Sequence, residues 1–303
     1  MQRVLVVAVG LGTLGAGRLW CQEAAGASLW RVAATTMPVP PALATGAAAA
    51  FWNPAQSEDS ARTQVAFEIV QTPASIDATG MLGAARWRVE SVGEVGVVYG
   101  RVWFNDLART IDSPDVTGGE VPVYSFALGA TWSRRMVVAG GHATVGATLA
   151  FHETRLDTDR ATRWTADVGG AYELGRKLRL AAATHFFSSF RPAEATQDLY
   201  AGVEYLVWEG PLWGGRATFR GRYGLAFGRG FAADHHLSVG AEFGGALALE
   251  AAVVREGGYR TSNWRPIGGL RLRIGKYRIT LARDTGVQDL GAAYRVGVDA
   301  RFP

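Results

Sequence analysis

Residues 290–302 read LGAAYRVGVDARF, and this stretch decides the fold. In steps of two, it places tyrosine, valines and phenylalanine on one face and arginines and an aspartate on the other. One strand with an apolar wall and a charged wall would also suit a soluble sandwich. The chain, however, repeats the pattern in many strands of similar length, which is typical of a membrane barrel.

Composition agrees with β-structure. The 303 residues include 39 Gly, 10 Trp, 9 Tyr and 13 Phe, and 19% of them are charged. No window of about 18 uncharged apolar residues is present, so the sequence predicts no transmembrane helix. A formal net charge of +4, with acids interleaved, excludes a nucleic-acid footprint.

The N-terminus has the pattern of a secretory leader, with Arg3 before an apolar run and then small residues. We predict a signal peptide over residues 1–27, with cleavage after Cys21 or after Ala27. Residues 28–62 follow, with several prolines and an alanine run, and this composition predicts short helical turns near or inside a barrel mouth. Residues 63–303 are the predicted transmembrane β-barrel.

Fourteen strands are predicted from the period of two. Their spans are 63–71, 79–89, 93–103, 121–132, 136–152, 162–174, 178–188, 198–208, 215–227, 235–243, 247–255, 264–274, 277–284 and 290–302. Connections after even-numbered strands are short, such as residues 133–135 and 209–214, and the longest connection is residues 104–120. Short turns belong on the periplasmic side, so both termini are expected in the periplasm.

Two motifs carry a resemblance to known families. The final strand resembles the C-terminal strand of bacterial outer-membrane barrels, which ends on Phe and is read by the insertion machinery; here Phe302 is followed by Pro303. Residues 50–55, AFWNPA, resemble the N-terminal signature of the FadL-like group, with Gln56 where Gly is usual. That group includes long-chain fatty-acid transporters and the PorV/PorQ barrels of type IX secretion.

The resemblance implies an outer-membrane protein with an N-terminal plug and fourteen strands. The plug motif is Phe51, Trp52, Asn53, Pro54 and Ala55, in which Asn53 is expected to tie the turn to the barrel wall. Passive transport of hydrophobic or amphipathic small molecules is the implied function, and a secretion-associated scaffold for other proteins is the alternative. Implied partners are outer-membrane lipid, the insertion machinery, a hydrophobic small-molecule ligand or secretion-system proteins.

Inward positions of the predicted strands carry charges that need partners in a lumen. We interpret them either as an ion-pair lattice that braces the plug or as a site for the anionic head of a ligand. These residues are Arg86, Arg88, Arg216, Arg220, Arg222, Arg271, Arg273, Glu204, Glu242 and Glu250. The inward Gly169 is expected to tolerate a polar residue, if it fits, far better than the outward Val168 tolerates arginine.

No residue set for catalysis, a metal or a cofactor is predicted. His235 and His236 are adjacent on a strand and therefore point to opposite faces, which separates them as metal ligands. No G-x-S-x-G sequence surrounds Ser188 or Ser189, so a hydrolase is not predicted.

Overall fold

The computed structural model describes residues 30, 33–34, 36–56, 61–73, 77–105, 107–110, 117–138, 140–186, 198–228, 233–257, 262–286 and 291–303. The predicted signal peptide lies outside these residues. No helix in the described part of the chain is long and apolar enough to cross a membrane.

Sixteen strands follow one another along the described chain. They are β1 (Thr63–Gln71), β2 (Ala78–Val89), β3 (Gly93–Phe104), β4 (Ala108–Thr110), β5 (Thr117–Glu120), β6 (Val123–Val138), β7 (Gly141–Leu156), β8 (Asp159–Leu174), β9 (Leu178–His185), β10 (Asp198–Leu212), β11 (Gly215–Gly228), β12 (Asp234–Phe243), β13 (Leu247–Gly257), β14 (Ser262–Ile274), β15 (Tyr277–Asp284) and β16 (Ala293–Phe302).

Fourteen of these strands form one closed antiparallel barrel, and β4 pairs with β5 as a separate hairpin. The barrel closes where β1 pairs with β16, from Thr63 opposite Phe302 to Gln71 opposite Tyr294. Closure leaves no free sheet edge. The predicted all-β barrel of fourteen strands is therefore confirmed.

The two walls of the barrel have the predicted chemistry. Along β16, Tyr294, Val296 and Val298 are exposed on the outer wall, whereas Arg295 and Asp299 are buried on the inner wall. The other strands alternate in the same way, because successive side chains of a strand point to opposite faces. Large apolar side chains thus cover the outside and polar ones line the lumen.

Four connections differ from the prediction. Residues 153–161, predicted as a connection, belong to β7 and β8 except for a turn at residues 157–158. Residues 133–135, predicted as a turn, belong to β6, which runs on to Val138. Residues 209–212, also predicted as a connection, belong to β10, and the turn is Trp213 and Gly214. Both segments are polar because they lie at the rim of the barrel, where strands continue past the apolar band. The predicted loop 104–120 contains the hairpin of β4 and β5.

The barrel has two distinguishable ends. Short connections at residues 90–92, 139–140, 175–177, 213–214, 244–246 and 275–276 lie at the end where β1 begins and β16 finishes, which we call the turn end. Gly214 and Gly275 there have positive φ angles of 76° and 61°, as tight hairpin turns require. The opposite end is called the loop end.

Residues 36–56, here called the inner segment, pack inside the barrel. The segment contains two short 3-10 helices, Pro41–Leu43 and Ala48–Phe51, as its proline and alanine content predicts. Almost every residue is buried, including Ala42, Trp52 and Asn53. Together with Trp30, it forms the main apolar core of the molecule. The core of this protein is therefore made by a segment against the inner wall rather than by packed sheets.

Candidate functional site: the lumen

The inner segment is stabilised by its own amide side chains. Asn53 donates through Nδ2 to the carbonyl of Ala42 at 2.9 Å, and its Oδ1 accepts from the backbone N–H of Ala55 at 2.9 Å. Gln56 donates to the same Ala42 carbonyl at 2.5 Å. Asn53 was expected to bind the barrel wall, and that expectation is wrong. Its side chain instead fastens the Asn-Pro turn to the first 3-10 helix, because that helix folds back beside it.

Side chains of the wall hold the segment by its backbone. Arg86 of β2 donates to the Gln56 carbonyl, and Arg179 of β9 donates to the Leu43 carbonyl at 3.3 Å. Arg295 of β16 donates to the Ala33 carbonyl, and Asp299 accepts from the Ala47 N–H at 3.1 Å. These contacts are needed because backbone polar groups buried outside regular structure must find partners.

Two wall glycines leave room for the Asn-Pro turn. Gly146 of β7 and Gly169 of β8 are opposite each other in the strand register and both face inward. A Cβ atom on Gly169 would overlap Oδ1 of Asn53, and a Cβ on Gly146 would overlap the Pro54 carbonyl. The expected tolerance of a polar residue at Gly169 required that the residue fit, and this condition is not met because the space that Gly169 faces is already filled.

Other inward glycines make similar close contacts with the inner segment. A Cβ on Gly202 would lie 2.7 Å from Leu43 Cγ, and a Cβ on Gly269 would lie 2.8 Å from Pro38 Cγ. Both distances are shorter than normal carbon contacts. The sequence carries this signal as glycine at inward strand positions, and only the fold shows which segment those glycines face.

An aromatic cluster fills the half of the lumen near the loop end. Phe51 contacts Trp30 and Trp52, with ring centroids 5.1 Å apart in each pair. His185, the last residue of β9, stacks on Trp52 at 5.1 Å, and Phe186 packs beside it. Such pairs add packing energy beyond their buried area. The cluster makes the part of the lumen that it fills apolar.

A chain of ion pairs lines the wall on β10 to β14. Glu204 accepts from Arg220 at 3.1 Å and also from Arg222; Arg222 reaches Glu250 at 2.6 Å, and Arg271 reaches Glu250 at 3.1 Å. Three arginines therefore share two glutamates. The central side chains are buried, whereas Arg220 and Arg271 at the two ends of the chain are 33% and 23% exposed.

A wide cavity of about 1100 Å³ opens at the turn end, and we call it the vestibule. Its lining includes Gly140 and Gly175 from the short turns, and Leu43 of the inner segment borders it. Eight basic and four acidic side chains contribute to its wall, among them Arg220, Arg271 and Glu242. This half of the lumen is therefore charged and predominantly basic.

The structure brings together only some of the predicted lumen residues. Glu204, Arg220, Arg222, Glu250 and Arg271 form the ion-pair chain, and Glu242 borders the vestibule beside it.

The remaining predicted residues lie elsewhere. Arg86 and Arg88 pair with Glu94 under the end of the inner segment. Arg216 pairs with Glu209 at the rim of the turn end, and Arg273 lines a smaller cavity there. Sequence reasoning missed Arg179 as a contact of the segment, because a single basic residue near a turn gives no sign of what it faces.

Among the described residues, no three His, Cys, Asp or Glu side chains come together as a metal set. His236 is buried on the inner wall, whereas His235 faces outward and hydrogen-bonds Tyr223 at 2.6 Å.

Comparisons with known proteins were consistent with this geometry at the level of fold. No protein-family model matches the chain, and no curated protein matches it. A solved structure of a TodX deletion mutant, a monoaromatic hydrocarbon channel, is similar over 83% of this chain and 92% of its own, with a TM-score of 0.52 and 12% identity. The shared feature is the closed barrel.

Two further solved structures are more distantly similar. The outer membrane protein Omp33 of Acinetobacter baumannii matches over 80% of this chain and 98% of its own, with a TM-score of 0.49 and 8% identity. CdiB of Acinetobacter baumannii matches over 80% of this chain and 60% of its own, with a TM-score of 0.45 and 9% identity.

Proposed function

We propose that this protein is an outer-membrane barrel for passive passage of amphipathic small molecules, and that the inner segment is its plug. The observation that carries the proposal is the two-part lumen. Near the loop end the lumen is filled by an apolar cluster to which the inner segment contributes, and near the turn end it is charged. The apolar outer wall supports a place in a membrane, and the fold supports the outer membrane.

The chemistry of the lumen favours an amphipathic solute over a purely apolar one. An apolar tail would replace contacts within the aromatic cluster of Trp30, Phe51 and Trp52. An anionic head would be attracted to the vestibule, where the exposed arginines at the ends of the ion-pair chain are Arg220 and Arg271. The buried centre of that chain then serves as the lattice that braces the wall.

Membership of the FadL-like group is part of this proposal. Its support is that AFWNPA, residues 50–55, lies within the lumen and that its turn is held in a fixed place by Asn53 and by two wall glycines. The proposal includes periplasmic termini, because short turns and both ends of the barrel chain share one end. The terminal strand β16, through which the insertion machinery would act, closes the barrel on β1.

Deleting residues 28–56 tests the plug. The truncated protein should still insert, because the fourteen strands and their register do not include these residues. In planar bilayers it should conduct ions more freely than the full-length protein, and liposomes that contain it should take up a fluorescent alkyl carboxylate faster. Equal conductance of the two proteins would contradict the plug. Uptake that stays at the protein-free rate in both would contradict transport.

A scaffold that handles other proteins is the second candidate, and one observation favours it. Strands β6, β7 and β8 are 16 residues each. A barrel strand needs only about 9–11 residues to cross a bilayer, so these strands extend past the apolar band and offer a wall to a partner. Purification from native membranes that yields secretion components would support this candidate, and uptake without any such partner would set it aside.

A further inference from the structure

The outer wall of the barrel carries most of its charges at one end. Within the described strands, seven outward positions are charged, and six of them lie within three residues of the loop end. They are Arg101, Glu153, Arg155, Arg160, Arg255 and Arg283, and the seventh, Arg134, lies at the turn end. Five arginines thus lie around the barrel at the loop end, and one lies at the turn end.

Three of these arginines lie against aromatic rings on the outer wall. The guanidinium of Arg101 is 5.4 Å from the Trp103 ring and 5.0 Å from the Tyr124 ring. Arg255 is 5.9 Å from Trp264, its direct cross-strand neighbour.

Arg283 is likewise 5.8 Å from Tyr294, which is opposite it in the register. Within the described part of the chain, Arg101, Arg255 and Arg283 make no ion pair, and all three are exposed. Their aromatic partners hold them at the level of a bilayer interface, where tyrosine and tryptophan concentrate.

The remaining charges of this level are partly neutralised. Glu153 accepts hydrogen bonds from Tyr124 and Arg160, so its negative charge offsets that of one of the five arginines. Arg155 donates to the carbonyl of Asp157 at 3.0 Å. The outer wall at the loop end therefore keeps a net positive charge on a surface that otherwise faces lipid tails.

We propose that the outward arginines at the loop end, here called the arginine girdle, bind the phosphate groups of the phosphorylated glycolipid that forms the outer leaflet of an outer membrane. Guanidinium groups bind phosphate through paired N–H donors, and an aromatic neighbour leaves those donors free to point along the membrane surface. A neutral lipid would not attract the arginines that are exposed at the loop end. The asymmetry matches a bilayer whose two leaflets differ in anionic charge. The inference rests on the proposed membrane location and on the proposed direction, with the loop end outside, and not on transport.

The test is binding of lipid A to the full-length protein in neutral detergent, followed by native mass spectrometry. The variant R101Q/R255Q/R283Q should bind lipid A roughly a hundredfold more weakly, because each basic residue near an anionic lipid surface contributes about fivefold. Arg134→Gln is the matched control, with the same chemistry at the turn end, and should bind as the unchanged protein does. The three single variants should each weaken binding about fivefold, which gives a second reading if the triple variant folds poorly.

Several outcomes would overturn the inference. Unchanged affinity in the triple variant would show that the arginine girdle does not bind lipid A. An equal loss in Arg134→Gln would show that binding is not confined to the loop end. Phosphatidylglycerol that binds as tightly as lipid A, with the same loss in the triple variant, would mean that the lipid class is wrong. A protein that binds lipid A but transports nothing would contradict the proposed function and leave this inference standing.

Discussion

Gly169 shows how a single missing Cβ shapes the lumen. The residue lies on β8 beside Gly170, and the two face opposite sides of the wall. A Cβ on Gly169 would overlap Asn53 of the inner segment, whereas a Cβ on Gly170 would meet nothing within 4 Å. One glycine is therefore required by close approach of the inner segment, and its neighbour is not.

This difference gives a matched pair of substitutions. We expect Gly169→Ser to lower the free energy of unfolding by about 1–3 kcal/mol, because an extra side chain forces a packed segment to move. Gly170→Ser should change it little. Urea unfolding of the folded protein in lipid vesicles measures both, and equal losses would mean that the inner segment does not approach this wall.

Val168, the preceding residue, tests the outer face. Its side chain is 58% exposed on the outer wall near the middle of the barrel height. Val168→Arg should cost about 2–4 kcal/mol, as arginine facing lipid near a bilayer midplane does. Val168→Leu is the control and should be close to neutral in the same unfolding measurement. A small loss on Val168→Arg would place this position outside the apolar band.

At the scale of strands, the ion-pair chain depends on an intervening glycine. Arg222 belongs to β11 and Glu250 to β13, so the pair spans β12 between them. Gly240 of β12 lies beneath this contact, and a Cβ there would lie 2.7 Å from the Arg222 guanidinium. The absence of a side chain on the middle strand therefore allows its two neighbours to meet.

The two ends and the centre of this chain should respond differently to mutation. Arg222→Gln leaves two buried carboxylates short of a partner and should cost about 3–5 kcal/mol. Arg220→Gln removes an arginine that is partly exposed to the vestibule and should cost about 0–1 kcal/mol. Urea midpoints measured side by side test this, and a larger loss at Arg220 would reverse the assignment of centre and end.

The strands could be predicted from sequence because their information is local. A period of two places β1, β11 and β15 within one residue of their observed bounds, since one face belongs to the apolar outer wall and the other faces the lumen. Residues 133–135 were misread as a turn because charged residues also occur where a strand leaves the apolar band. The hairpin of β4 and β5 was not predicted for a related reason, since it is not part of the barrel wall and has no apolar outer face.

The lumen could be predicted only in part. Alternation indicates which charged residues face inward, but it cannot say which of them meet, since the ion pair of Arg222 and Glu250 joins residues 28 positions apart on strands that are not adjacent. The path of the inner segment could not be predicted from the sequence, because its contacts join residues as distant along the chain as Ala47 and Asp299. A motif placed Asn53 in the lumen, and only the folded chain shows that it binds Ala42.

For the whole molecule, the positions of the short turns give the proposed direction in the membrane. Six short connections lie at the turn end, beside both ends of the barrel chain. Short turns of bacterial outer-membrane barrels lie on the periplasmic side. The loop end is therefore the end that we assign to the cell exterior.

Cysteine labelling in whole cells tests this direction. In a Cys21→Ser background, Thr158→Cys places a thiol in the exposed turn between β7 and β8, and Arg176→Cys places one in the turn between β8 and β9. A maleimide too large to pass the outer membrane should label the first in intact cells, because that turn lies at the loop end. The second should react only after the cells are permeabilised. The reverse pattern would place the termini outside the cell, and it would move the arginine girdle to the periplasmic leaflet.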